Sequence, residues 1–227
     1  MWIKICGNTR LEDAQHAAAC GADAVGFVFA PSPRKVTTDV AARIIAHLPP
    51  TIEKYGVFVD PEFDEIVAAV SECGLTGVQL HSDSDLAARL RQYFSERPGV
   101  ARLKILRVVH YSPQIETELE ALRQDRAIDA VLVDTKTANA VGGTGVSFDW
   151  QGARRSFFRA APHLRLIAAG GLKPENVAEA ILTLQPWGVD VASGVEASPG
   201  RKDAARLKQF IMLARTAAAE LLKPAEA

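Results

Sequence analysis

The sequence predicts an α/β fold, and three observations point to a single-domain (β/α)8 barrel. Short runs rich in valine, isoleucine and leucine alternate with longer amphipathic stretches along the chain. These runs are apolar on both faces, as parallel strands covered by helices are. A chain of 227 residues has room for eight strand-helix units, which is the size of a TIM barrel. A doubly wound open sheet is the weaker alternative, because no GxGxxG follows the first run.

The elements follow in order from the hydrophobic pattern. Eight strands are expected at residues 2–6, 24–29, 54–59, 77–81, 103–109, 130–134, 165–169 and 188–192. Helical periodicity is clearest at residues 64–73, 86–94, 115–123, 176–184 and 204–222. We expect eight helices in all, with residues 1–222 forming one barrel domain and residues 223–227 a disordered tail.

Composition restricts the class of function. The net charge is −1, and no run of lysine or arginine suggests a nucleic-acid or membrane surface, so the expected partner is a small molecule. No apolar stretch approaches the roughly 20 residues that span a bilayer. Three cysteines lie far apart without CxxC spacing, and the N-terminus does not resemble a signal peptide. We therefore expect reduced thiols, no metal site and a cytoplasmic protein.

Several strands carry polar residues, which the alternation of strand side chains places inside the barrel. On the first strand, Trp2, Lys4 and Cys6 share one side. We expect the same inward orientation for polar residues on later strands: Gln79, His81, Arg107, Asp134 and Asp190. Buried charges are costly unless they are paired, so four charged residues should compensate one another near the barrel mouth: Lys4, Arg107, Asp134 and Asp190. The alternative is an ion network that only holds the strands in register.

Cys6 and Asp134 each end a strand, the position at which barrels place their chemistry. An isolated buried cysteine is more often a small hydrophobic side chain than a reacting group. A free thiol has a pKa of about 8.5, so forming the thiolate at neutral pH costs roughly 2 kcal/mol. Lys4, on the same face, could lower that cost. Cys20 and Cys73 each precede a glycine at a predicted helix end and are read as structural.

Glycine-bearing loops follow the last three strands and predict a phosphorylated ligand. Main-chain N–H groups can approach a phosphate where side chains are absent, and barrels often build this site after strands 7 and 8. The glycines are Gly142, Gly143 and Gly145 after strand 6, Gly170 and Gly171 after strand 7, and Gly194 after strand 8. The first group, GGTG, is either a lid or a phosphate contact.

The segment PSPRK at residues 31–35, after strand 2, presents Arg34 on a stiff loop. A guanidinium there is suited to gripping a carboxylate with two hydrogen bonds. The alternative is a solvated surface arginine.

Nine segments occur in order over nearly the whole chain: KICG (4–7), GADAVGFVF (21–29), SPR (32–34), GVFV (56–59), VQLH (78–81), DT (134–135), GGTGVSFDW (142–150), AAGGLKPENV (168–177) and VDVASGVE (189–196). Together they resemble the phosphoribosylanthranilate isomerase family. The resemblance implies a (β/α)8 barrel without a cofactor. It also implies the Amadori rearrangement of N-(5-phosphoribosyl)anthranilate in tryptophan biosynthesis.

The resemblance also implies roles for single residues. Cys6 matches the family's general base, Asp134 its general acid and Arg34 the arginine that holds the anthranilate carboxylate. The phosphate site matches Gly170, Gly171, Ser193 and Gly194, and Asp190 lies where the family contacts the sugar. Ser82 stands where the family commonly has glycine, so His81 is expected beside the substrate without a catalytic role.

Two other functions stay open at this point. The related isomerase of histidine biosynthesis resembles a design with two aspartates, the first ending strand 1, so Cys6 argues against it. A single enzyme serving both substrates is weaker still. A non-catalytic barrel that binds a phosphorylated ligand is the other alternative, which the presence of both Cys6 and Asp134 disfavours. The sequence leaves monomer and homodimer equally open.

Overall fold

The computed structural model describes residues 1–81, 85–97, 102–134, 152–155 and 164–222. Eight parallel strands close into a barrel in sequence order. The strands are β1 (Trp2–Ile5), β2 (Ala24–Val28), β3 (Glu53–Phe58), β4 (Gly77–Leu80), β5 (Lys104–His110), β6 (Ala130–Asp134), β7 (Leu166–Ala169) and β8 (Gly188–Val191). The predicted fold is confirmed, and each strand end lies within one residue of its prediction.

Helices cover the outside of the barrel. They are α1 (Leu11–Ala19), α2 (Thr38–Ile45), α3 (Phe63–Cys73), α4 (Leu86–Ser95), α5 (Ile115–Leu122), α6 (152–155), α7 (Val177–Leu184) and α8 (Ala204–Glu220). A 3₁₀ turn at Ser193–Val195 and a short antiparallel hairpin, β9 (Glu196–Ser198) with β10 (Arg201–Lys202), lie between β8 and α8. Three groups of predictions fall outside the described residues: Gly142, Gly143 and Gly145 of GGTG, the effect of Ser82, and the tail at 223–227.

Alternation along the strands sorts the buried side chains into two layers. One apolar cluster lies between the barrel and its helices and includes Ile3, Ile5 and Phe27. A second, smaller cluster fills the barrel interior and includes Trp2 and Tyr55, whose rings meet edge to face at 5.8 Å. Trp2 and Lys4 therefore face inward, as the period of two predicted. Because this cluster fills the barrel interior, a site can form only at an end of the barrel, and barrels place it at the carboxyl-terminal end of the strands.

The predicted inward orientation of Arg107 is wrong. In the β4–β5 register, Gln79 is opposite Leu106, and Leu80 is opposite Arg107. Neighbouring parallel residues in register share a face, so Leu106 enters the interior cluster with Gln79 while Arg107 points outward. Burial lowers the pKa of Arg107, and the acids that oppose this are Glu118 on α5 and nearby Asp125. Arg107 therefore does not belong to the interior charge set.

In the part of the chain that the structure describes, no helix is both long and apolar enough to cross a membrane. The same residues contain no cluster of His, Cys, Asp and Glu that could hold a metal ion.

Candidate active site

A cavity of about 100 Å³ opens at the carboxyl-terminal end of the strands. Its lining includes Gln79, Asp134, Asp190, Gly170, Gly171 and Ser193. These residues come from the ends of β4, β6, β7 and β8 and from the loops that follow. The structure thus places at one opening the predicted acid, the predicted sugar contact and three of the four predicted phosphate residues.

Cys6 follows β1 and is buried beside Lys4. The Lys4 ammonium donates to Asp190 Oδ1 and to Gln79 Oε1, both at 2.8 Å, and it lies beside the Cys6 sulfur. The predicted compensation of Lys4 by Asp190 is therefore confirmed. Burial alone would lower the pKa of Lys4, but the charge and hydrogen bond of Asp190 and the neighbouring Cys6 outweigh it and raise that pKa. Lys4 joins the thiol to the cavity wall through Asp190.

The surroundings of Cys6 favour its neutral thiol over the thiolate. Burial raises its pKa, and the Asp190 charge adds to this effect. The positive charges of Lys4 and Lys202 oppose the rise without cancelling it. The favourable effect that the sequence predicted for Lys4 is present, but desolvation is larger.

Two glycines make room for the thiol and its neighbours. A Cβ atom on Gly26 of β2 would lie 2.8 Å from Cys6 Sγ and 3.1 Å from Lys4 Cε. Gly7 has a φ of +74°, and its Cβ would lie 2.6 Å from Arg34 Cδ. The turn at Gly7 is held by buried Asn8, whose Nδ2 donates to Ile5 O at 2.7 Å. Side chains at either glycine would displace the groups that the site needs.

Asp134 is the last residue of β6 and borders the cavity. Its position alternates with the interior residues Ala130 and Leu132, so its side chain belongs to the interior face. Tyr111 N donates to Asp134 O at 2.9 Å, which fixes the main chain at the strand end. The carboxyl group therefore extends from the end of a barrel strand, at the face where barrels place their active sites.

His81 follows β4, and hydrogen bonding defines its tautomer. Gln79 Oε1 accepts from Lys4, so the other end of that amide is the NH₂ group, which lies 3.1 Å from His81 Nε2. His81 Nε2 is then the acceptor, and the ring proton is on Nδ1. Burial and the neighbouring His110 lower the pKa of His81 to about 4, so the ring is neutral at pH 7. His81 also lines a larger cavity of about 560 Å³ that extends toward His110 and Glu118.

Arg34 is partly buried and paired, so it is not a free surface arginine. Its Nε and Nη2 donate to the two oxygens of Glu196 at 2.8 and 2.6 Å. These bonds raise the pKa of Arg34. Burial alone would raise the pKa of Glu196, but Arg34 and Lys202 outweigh it and hold that pKa below its ordinary value. Glu196 thus presents the guanidinium in a fixed orientation.

The predicted phosphate loops approach each other closely. Gly170 and Gly171 have φ values of +84° and +67°, which other residues rarely adopt. A Cβ on Gly194 would lie 1.8 Å from Leu172 O, so the loop after β8 rests directly on the loop after β7. Small residues here keep bulky side chains away from the cavity wall.

Sequence reasoning missed Glu196 and Lys202. Glu196 lies 162 residues from its partner Arg34, so no local spacing relates them. The available signal was the turn pair Pro199-Gly200 between two charged positions after strand 8, which is compatible with a tight hairpin.

Comparisons with known proteins agree on one family. The family profile described as N-(5'phosphoribosyl)anthranilate (PRA) isomerase matches residues 3–212. A protein named N-(5'-phosphoribosyl)anthranilate isomerase from Pelobacter propionicus is 43% identical over 221 residues, covering 96% of this chain and 97% of its own length. A protein of the same name from Chlorobaculum tepidum is 41% identical over 217 residues, covering 95% of this chain and 95% of its own length.

Solved structures give the same result. The phosphoribosyl anthranilate isomerase of Thermotoga maritima superimposes with a TM-score of 0.81 at 38% identity, covering 95% of this chain and 99% of its own. A second structure, titled as that isomerase in complex with reduced 1-(o-carboxyphenylamino)-1-deoxyribulose 5-phosphate, has a TM-score of 0.76 at 36% identity, covering 95% of this chain and 99% of its own. The similarity therefore extends over nearly the whole chain.

Proposed function

Because the chain belongs to the N-(5'-phosphoribosyl)anthranilate isomerase family, we propose that Cys6 and Asp134 carry the proton transfers of that family's reaction. The protein is an isomerase of tryptophan biosynthesis. It converts N-(5-phosphoribosyl)anthranilate into 1-(2-carboxyphenylamino)-1-deoxyribulose 5-phosphate by an Amadori rearrangement. One observation carries the proposed roles: Lys4 lies beside the Cys6 thiol and donates to Asp190, and Asp190 lines the same cavity as Asp134.

Binding involves both charged ends of the substrate. The phosphate is held by main-chain N–H groups around Gly170, Gly171, Ser193 and Gly194, which the close contact of the two loops supports. The carboxylate of the anthranilate is held by Arg34. The bonds to Glu196 use Nε and Nη2 of Arg34, so the Nη1 edge is available to a second carboxylate.

Ring opening requires an acid. Asp134 in its protonated form gives its proton to the furanose ring oxygen, and the bond between C1 and that oxygen breaks. The lone pair of the anthranilate nitrogen forms the C1=N bond of a protonated Schiff base. Asp190, held by Lys4 at 2.8 Å, is placed to orient the sugar hydroxyl groups.

The second proton transfer requires a base. The thiolate of Cys6 takes the proton from C2, and the C2 electron pair forms a C1=C2 double bond while the nitrogen regains its lone pair. The resulting enol then tautomerises to the ketose. Burial raises the pKa of the Cys6 thiol, so the reaction needs a further interaction that favours the thiolate. The positive charge of the Schiff base, which ring opening creates nearby, favours that thiolate.

Replacing Cys6 by alanine tests this assignment. Cys6→Ala should reduce kcat by at least about 100-fold while a reduced product analogue still binds. Cys73→Ala is the matched control, since Cys73 is also buried but belongs to the outer apolar cluster, where its thiol donates to Thr38 O. A Cys6→Ala protein with wild-type turnover would remove Cys6 from the mechanism.

The runner-up substrate is the aminoribosyl phosphate of histidine biosynthesis. Arg34 favours anthranilate, because its guanidinium is braced to receive a carboxylate. Assays with each substrate separate the two, and turnover of the histidine-pathway substrate alone would contradict the assignment.

Assembly and cellular location are also part of the proposal. One similar structure is titled as generated monomers of a dimeric phosphoribosylanthranilate isomerase from Thermotoga maritima. We infer a cytoplasmic enzyme that is a monomer or a homodimer, with residues 1–222 as its catalytic domain. Sedimentation of the purified chain would distinguish the two assemblies.

A further inference from the structure

The short hairpin β9–β10 after β8 contains a buried lysine that the reaction described above does not use. The side chain of Lys202 is 1% exposed, and that of its partner Glu196 is 4% exposed. Lys202 Nζ donates to Cys6 O at 2.6 Å, to Ala192 O at 3.1 Å and to Glu196 Oε1 at 3.1 Å. All three ammonium protons are therefore accounted for.

These three bonds converge from separate parts of the site. Cys6 follows β1, Ala192 follows β8 beside the phosphate loop, and Glu196 holds the Arg34 guanidinium with both oxygens. The hairpin is anchored further by Thr9 Oγ1, which donates to Gly200 O at 2.6 Å. A single ammonium group thus spans the base, the phosphate loop and the carboxylate-binding arginine.

Burying an ammonium group is costly, and the fold does not need this lysine to fill an apolar core. Lys54 shows the ordinary arrangement for comparison. It is buried at the start of β3, and its ammonium only caps the carbonyls of Pro49 and Pro50. Lys202 instead contacts the main chain of Cys6 and Ala192, and it contacts Glu196, which holds Arg34.

We propose that Lys202 is a positioning residue for this reaction: its ammonium group fixes the main chain of Cys6 and, through Glu196, the guanidinium of Arg34. This inference rests on the proposed roles of Cys6 and Arg34. Among Arg34, Lys202 and Glu196, the two cations exceed the one anion by a single positive charge. That excess is suited to an anionic carboxylate beside a thiol that must ionise.

The thiol provides a readout that a purely structural role would not change. Its charged surroundings are Lys4 on β1, Asp190 on β8, Lys202 on β10 and the Arg34–Glu196 pair. Removing the Lys202 charge should raise the Cys6 thiol pKa. Neutralising Glu196 should lower that pKa, because it leaves two cations uncompensated. The two changes therefore have opposite expected signs.

The experiment measures steady-state kinetics and the ultraviolet thiolate titration of Cys6, with Cys20 and Cys73 replaced by serine. For Lys202→Met we expect a thiol pKa raised by about one unit, a higher KM and a kcat/KM about tenfold lower. Lys202→Arg keeps the charge and should restore most of the thiol pKa. Glu196→Gln should raise KM, because Arg34 loses its brace, and should lower the thiol pKa.

Two lysines serve as controls. Lys54→Met removes a buried ammonium and should lower Tm without changing KM or the thiol pKa. Lys208→Met, on the exposed face of α8, should leave Tm, KM and the thiol pKa unchanged. Wild-type KM and thiol pKa in Lys202→Met would overturn the inference. If that variant does not fold, Glu196→Gln decides, and an unchanged or raised thiol pKa there would overturn it. A fully active Cys6→Ala would instead refute the assignment of Cys6 as the base. The measured effects of the Lys202 and Glu196 variants on KM and on the thiol pKa would not depend on that result.

Discussion

Replacing Gly26 on β2 by alanine would test whether the position of the Cys6 sulfur governs the reaction rate. The added Cβ would lie 2.8 Å from Cys6 Sγ and 3.1 Å from Lys4 Cε, whereas ordinary Cβ contacts begin at 3.4 Å. The sulfur would have to move by at least about 0.6 Å, since the backbone is a rigid barrel strand. A displacement approaching 1 Å at a reacting group can cost about 100-fold in rate. We therefore expect Gly26→Ala to lower kcat by about 10- to 100-fold.

The same substitution should reduce stability through overpacking, by about 1–3 kcal/mol. A matched control separates the two effects. Gly56→Ala on β3 would place its Cβ 2.7 Å from Phe58 Cε2 and 2.8 Å from Leu75 Cδ1, a comparable overlap away from the thiol. It should lose similar stability and keep the wild-type kcat.

The assays are urea unfolding and steady-state turnover at saturating N-(5-phosphoribosyl)anthranilate. We expect the two variants to match in free energy of unfolding and to differ in kcat. If Gly26→Ala also kept the wild-type kcat, the position of the Cys6 sulfur against Lys4 would not govern the chemical step.

Three further predictions follow from the site. Asp134→Asn should lower kcat by about 10²- to 10⁴-fold and leave binding of a reduced product analogue intact, and a smaller loss would remove Asp134 as the acid. Gly194→Ala, whose Cβ would meet Leu172 O at 1.8 Å, should weaken competitive inhibition by inorganic phosphate, and unchanged inhibition would place the phosphate elsewhere. His81 has a folded pKa of about 4, below its ordinary 6.5. The unfolded chain therefore binds the extra proton, and stability should fall by at most about 3 kcal/mol as pH drops from 6.5 to 4. His81→Asn should show a smaller fall over that range, and an identical pH dependence would contradict the assigned burial effect.

The strands of this barrel were predictable because each is a short apolar run between helical segments, and a parallel sheet requires little more. The positions of Cys6 and Asp134 followed from the same fact, since all eight strands end at one edge. The orientation of Arg107 was not predictable from its own strand. Polarity suggested the interior, but the register with β4 gave that face to Leu106.

The charge state of the site also required the structure. The sequence showed that Lys4 is close to Cys6, but it could not show that desolvation outweighs the lysine's favourable charge. Nor could it show that Arg34 is braced by Glu196, because that contact joins residues far apart in the chain. Pairing between distant loops is decided by the closure of the barrel rather than by local pattern.

The central claim is that Cys6 removes the C2 proton after Asp134 has opened the ring. Its most direct test is a single turnover of Cys6→Ala with substrate deuterated at C2. We expect the ring-opened Schiff base to accumulate with deuterium retained at C2, and ketose to form at least about 100-fold more slowly than in the wild type. Ketose formation at the wild-type rate, with loss of the deuterium, would show that another group removes the C2 proton.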